Sequence, residues 1–200
     1  MMNKGSKVLS PTGYLEVWKV YPDGERELYW EDNNVITSGL GVGLAHLFSG
    51  SGSNNIVDYQ ILNFQVGTSG NESNFGASTF ELSGPLTLAE YQTVGSELLI
   101  EDFNPIANGV VDGTTRSFPR ILYTNIHKVN PTCVRFTLVI DRYSANDISP
   151  TTLELNEIGL FMRNPRGLTP PSPILVAYRP HTGIRKTSAF SLVYRWSIQW

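Results

Sequence analysis

From Phe190 to the end of the chain every second residue is large and apolar: Phe190, Leu192, Tyr194, Trp196, Ile198 and Trp200. Ser191, Val193, Arg195, Ser197 and Gln199 fall between them. Strand side chains alternate between two faces, so a period of two means a β-strand with one face to bury. Such a strand needs neighbours in its sheet and an apolar layer above it. Its tip poses a choice. Either Trp200 closes the core of its own domain, or a neighbouring subunit buries that face through strand addition and Trp200 is an interface anchor.

The same period recurs upstream. GYLEVWKVY alternates, YPDGE follows, and RELYWEDNNVI resumes an extended pattern. Pro-Asp-Gly between two such runs predicts a hairpin, because Pro presets φ and Gly takes the left-handed position. YQILNFQVG, VGSELLIEDF, FPRILYTNI, CVRFTLVIDRY, TLELNEIGLFMR and PILVAYRP are further strand candidates. The segments NPIANGVVDGTT, KVNP, SANDISP and NPRGLTPPSP between them carry turn chemistry.

One stretch breaks the pattern. In TSGLGVGLAHLFSG, Leu40, Leu44, Leu47 and Phe48 stand at helical spacing, with Thr37 or Ser38 as N-cap and Gly50 as the stop. This predicts a short helix near residues 38–49. Its internal glycines cost roughly 1 kcal/mol each relative to Ala, unless they permit close packing on a sheet. LTLAEY fits a single helical turn. The expected architecture is all-β, an antiparallel β-sandwich of about nine strands with that one short helix. Residues 1–12 read as an N-terminal arm and 13–200 as a single sandwich domain.

Composition narrows the chemistry. A chain of 200 residues with 40% hydrophobic residues can bury a sizeable core. The net charge of −3 supplies no general attraction to nucleic acid or to an anionic membrane. No apolar run reaches the roughly 18 residues of a membrane span, and the N-terminus lacks the apolar core of a Sec signal. Cys133 is the single cysteine, which leaves no disulfide framework and no multi-cysteine metal site. Within CVRFTLVI it reads as a small buried hydrophobe.

No catalytic motif emerges. Gly39, Gly41 and Gly43 follow a strand and open a helix, but GxGxG is not the dinucleotide spacing. His46, His127 and His181 are far apart and form no ligand pair, so no metal site is expected. His46 reads as half-buried in the helix. GxSxG is absent, and the adjacent acids Glu31-Asp32 and Glu101-Asp102 point to opposite faces of a strand. Glu157 stands apart: in LELNEIGLF, parity puts it on the same face as Leu153, Leu155 and Phe161. A buried carboxylate needs a cation or hydrogen-bond donors, and Arg179, Arg185 or Lys186 could supply a structural or interface ion pair. The Trp, Tyr and Phe residues exceed the needs of one modest core, which suits subunit interfaces or a carbohydrate-binding platform. The interface candidates are Trp196, Trp200, Tyr194, Glu157, Arg179 and Arg185.

Five segments in order, NNVITSGLGVGLAHLF, ILNFQVGTSGN, LELNEIGLF, ILVAYRP and GIRKTSAFSLVYRWSIQW, carry a resemblance. The series resembles a group of virion structural proteins of tailed bacteriophages, found in tails, baseplates and fibre-attachment regions. The matching residues are Asn34 to Phe48, Phe64 to Thr68, Glu157 to Phe161 and Ala177 to Trp200. The middle of the chain, residues 70–150, departs from the group. The resemblance implies a non-enzymatic β-sandwich building block, made in the bacterial host cytoplasm and located in the virion. It implies no cofactor, and no catalytic residue is carried over. Its partners would be copies of itself and other virion proteins. The docking elements would be the arm and the loops around 68–80, 104–116 and 164–173. The alternatives are a capsid decoration or head-fibre protein, and a receptor- or carbohydrate-binding module that recognises a host-surface glycan. A hydrolase built on Glu157 comes last.

Overall fold

The computed structural model describes residues 10–49, 59–74, 76–79, 81–91, 100–101, 118–147, 154–162 and 173–200. Expectations on residues 1–9, on Gly50, on the loop at 104–116 and on all but Pro173 of the loop at 164–173 lie outside the described residues, as does most of VGSELLIEDF.

The chain is all-β. β1 (Thr12–Val20) and β2 (Arg26–Ile36) form the expected hairpin. Gly24 N–H closes its turn on Tyr21 O, and Gly24 has φ +91, the conformation that selects glycine. β3 (Ile61–Gly67), β7 (Cys133–Ile140), β8 (Leu155–Met162) and β10 (Ser191–Gln199) also fall where alternation or apolar runs place them. Cys133 is buried and free. Two strands differ from expectation. FPRILYTNI is not one strand: it holds β5 (Phe118–Pro119), a 3-10 turn at Tyr123–Asn125, and the first residue of β6 (Ile126–Asn130). KVN, expected in a loop, belongs to β6, where Ile126 to Asn130 pair with β7. β9 (Ile174–Ile184) runs on past Pro180. Pro180 sits at the register shift between Leu155 and Glu157 of β8, and a bulge is where a strand tolerates proline. The short β4 (Ile100–Glu101) pairs with β5.

Eight strands form one sheet in the order β3-β8-β9-β2-β1-β10-β7-β6, every pairing antiparallel. The two layers of the sandwich are therefore continuous. β2 is the fold line: Arg26 to Asn34 pair with β1, then Val35 and Ile36 pair with Tyr178 and Ala177 of β9. The sheet curls there, and its halves share a core. Leu15, Val17, Leu138, Tyr194 and Trp196 from one half meet Phe64, Val66, Ile158 and Val176 from the other. A smaller cluster of Leu82, Phe118, Phe161, Leu175 and Tyr178 covers the opposite face of β8 and β9. β8 is thus buried on both faces, which explains its continuous apolar run.

α1 (Ser38–Ser49) occupies the expected residues and packs on β9. A Cβ on Gly39 would meet Leu175 O at 2.1 Å, and one on Gly43 would meet Met162 Sδ at 2.4 Å, so these glycines serve close packing. Gly41 is exposed, with open space where its Cβ would stand. Gly41→Ala should therefore stabilise the protein by about 1 kcal/mol, raising the midpoint of a thermal melt by roughly 2–4 °C; a lowered midpoint would contradict this placement. α2 (Leu88–Tyr91) is the expected single turn. It is capped reciprocally, with Thr87 N–H on the Glu90 carboxylate at 2.7 Å and Glu90 N–H on Thr87 Oγ at 3.4 Å.

The outer edge of β3 is covered. Leu86 N–H bonds Val66 O, Ile121 N–H bonds Leu62 O, and Pro85 and Arg120 bridge to Gly67 and Asn63. No described residue pairs with the outer edge of β6, whose residues His127 to Asn130 are exposed.

Candidate functional site

β10 lies between β1 and β7, in register with both along its length. Its alternate residues Leu192, Tyr194, Trp196 and Ile198 are fully buried in the chain's own core. Tyr194 and Trp196, read as interface candidates, therefore face inward and offer no surface to a partner. Trp200 differs. Its N–H is tied to Thr132 O at 2.9 Å, which anchors the last residue, while its side chain is 40% exposed.

Glu157 is fully buried, as parity suggested, but its neighbours differ from those expected. The register shift between Leu155 and Glu157 turns Leu155 toward the main core with Ile158, while Glu157 faces the segment Ser83–Gly84. One carboxylate oxygen accepts Ser83 N–H at 2.9 Å and Tyr178 O–H at 2.7 Å; the other accepts Gly84 N–H at 2.6 Å. Among the described residues no cation pairs with Glu157; neutral donors hold the carboxylate in place of the expected ion pair. Burial, then the bond to Glu157, pushes the Tyr178 hydroxyl well above its ordinary pKa. A Cβ on Gly67 would stand 2.4 Å from the Glu157 carboxylate, so the Val-Gly-Thr end of β3 makes room for this latch.

The cations lie elsewhere. Arg179 bonds Asp32 and, at 3.2 Å, Glu72, with its guanidinium 5.3 Å from the Trp30 ring centre. Arg185 pairs with Asp147 at 3.1 Å in an exposed contact of small energetic weight. Lys186 is buried, bonds Asn146 Oδ1 at 2.8 Å and Thr187 O at 3.0 Å, and burial lowers its pKa to about 8. His181, on β9 beside Trp30, is 6% exposed, and burial pulls its pKa down to about 4. Among the described residues no group of three His, Cys, Asp or Glu side chains converges as metal ligands would.

The feature that stands out is apolar. Between α1, the start of β3, the 3-10 turn, β6 and the C-terminus lies a groove of about 290 Å³. Leu44, Leu47, Ile61, Tyr123, Ile126 and Trp200 are among the residues of its wall, and among the described residues no charged side chain lines it. Leu47, Tyr123 and Trp200 are each more than a third exposed. Comparisons with family models, curated proteins and solved structures return no match to this chain. The groove and the edge of β6 that no described residue pairs share one end of the sheet, since Ile126 belongs to both.

Of the groove, sequence reasoning found Trp200 and the helical leucines but not Tyr123 or Ile126. Those two sit in a run read as one strand, and the turn at Tyr123–Asn125 is what swings them to the groove. A usable signal was Leu122-Tyr123, adjacent large residues that a half-buried strand cannot both bury.

Proposed function

We propose that this chain is a non-enzymatic structural protein of a tailed-phage virion, in the tail, baseplate or fibre-attachment region, whose activity is assembly. What supports assembly is the groove beside the β6 edge: an apolar recess with no charged side chain among the described residues, next to an edge that no described residue pairs, suits a second chain. The occupant we assign is another copy of this chain. The assignment to a phage particle rests on the resemblance of the motifs quoted above.

The reading as a hydrolase finds little support, because both oxygens of Glu157 are occupied and the residue has no exposure. The reading as a glycan binder is weakened by cations over the aromatic faces a sugar ring would stack on. Arg195 lies 5.3 Å from Trp18 and Arg142 lies 4.7 Å from Tyr143.

The test is solution mass by light scattering. The wild type should be a defined oligomer. Leu47→Glu and Trp200→Ala should shift it to monomer while leaving the circular dichroism spectrum unchanged. A monomeric wild type, or an oligomer indifferent to both changes, would remove the groove as the self-association surface.

A further inference from the structure

The joins between strands are unequal. β1 pairs with β10 over the whole of Thr12 to Val20, and β7 with β10 over Cys133 to Ile140. β2 and β9 pair only at Val35–Tyr178 and Ile36–Ala177, and Thr37 adds two bonds, from its N–H to Val176 O and from its hydroxyl to Leu175 O. In this order of strands, that short ladder is where one half of the sheet is bonded to the other.

Away from the ladder the seam is closed by side chains. Arg179 of β9 reaches Asp32 of β2 and Glu72 of a 3-10 turn, and lies over Trp30. Tyr29 O–H bonds Gly183 O at 2.8 Å. His181 stacks between β2 and β10, its ring centre 5.9 Å from Trp30 and 5.7 Å from Tyr194. Its Nδ1 donates to Thr182 O at 2.8 Å, while Nε2 is buried with no partner. Arg179, on its own strand, is a charged group that acts on it, and Tyr194 of β10 lies against its ring; Asp32 of β2 and Glu72 of the turn hold Arg179, and Tyr29 of β2 reaches β9 at Gly183. Glu154 adjoins Gly183 and acts on the Tyr29 phenol.

We propose that the β2–β9 seam is an acid-sensitive joint, which opens when His181 is protonated and leaves each half of the sheet folded. A proton on Nε2 would place a second cation beside Arg179, with no acceptor for the new N–H. The opened seam exposes the imidazole to water, where it titrates near its ordinary value of 6.5. The closed form binds its proton only near pH 4. Between those limits the open form takes up more protons, so the closed seam is fully stable above about pH 6.5 and loses stability as pH falls toward 4. By pH 5.0 the opening constant should rise on the order of 30-fold over its value at pH 7.5.

Backbone amide exchange measured at both pH values, corrected for intrinsic rates, tests this on the full chain. Thr37 and the ladder amides of Val35 to Ile36 should lose protection by that factor, while Leu138 and Trp196 keep theirs. His181→Phe should abolish the pH dependence, and His181→Gln serves if the phenylalanine variant does not fold. The proposal is overturned if the seam stays protected at pH 5.0. It is equally overturned if β7 and β10 lose protection together with the seam, or if the folded His181 variant keeps the wild-type dependence.

Discussion

Trp196→Ala is expected to cost about 3–5 kcal/mol of folding stability. The indole is fully buried on β10, with Leu15 of β1 opposite it on one side and Phe136 of β7 on the other. Both neighbours belong to strands paired along their length, so the surroundings cannot collapse into the space left behind. A domain holds about 5–15 kcal/mol in total, and this single change would remove about a fifth of it or more. The thermal midpoint should fall by roughly 10 °C, and a denaturant titration should show the loss at unchanged slope. Trp196→Phe should cost less than half as much, because it keeps a ring in place and removes an indole N–H that is buried without a partner. A loss below about 1 kcal/mol for the alanine variant would contradict the placement of this residue in the core. By the same geometry a chain ending at Thr187 should not fold, since it lacks the strand that joins β1 to β7.

The second large effect is expected at Glu157. Glu157→Ala removes at once the acceptor of the Ser83 and Gly84 N–H groups and of the Tyr178 hydroxyl. Each buried, unsatisfied donor costs about 1–3 kcal/mol, and Ser83 is exposed enough to recover part of its loss from water. A total near 3 kcal/mol follows. The damage should be local first. The Ser83–Leu86 segment, which covers the edge of β3, should become the preferred site of limited proteolysis while the β1–β10–β7 half stays intact. Glu157→Gln keeps the volume but turns an amide N–H₂ toward one of the donors, so it should lie between wild type and alanine. Unchanged protease resistance of Glu157→Ala would show that the carboxylate is not the latch.

Much of the architecture was legible because burial imposes a period. The alternation of Leu192, Tyr194, Trp196 and Ile198, the Pro-Asp-Gly turn and the leucine spacing of α1 each follow from one strand or one helix packing on one core. Legibility failed where an element is covered on both faces or changes partner. In β8 a shift in register put Leu155 and Glu157 on different sides despite their shared parity. In Phe118 to Asn130 the chain serves first the edge of β3 and then β7, with a turn between.

The candidate site divides in the same way. The sequence by itself determined that the chain is all-β, that its last strand has one apolar face, and that Glu157 would need partners if buried. These follow from side-chain alternation and from the cost of stranding a charge, both of which are local. Only the tertiary structure decided that Tyr194 and Trp196 face inward while Trp200 lines a groove, and that Glu157 bonds Ser83, Gly84 and Tyr178 instead of a cation. It alone brought Trp30, Arg179, His181 and Tyr194 to one seam. The physical reason is that the deciding partners are distant in the chain: β1 pairs with β10 and β2 with β9 across more than a hundred residues, and Glu157 meets Ser83 and Gly84 across more than seventy. A period of two says that a strand has two faces, but not which distant strand lies beside it or what covers its far side.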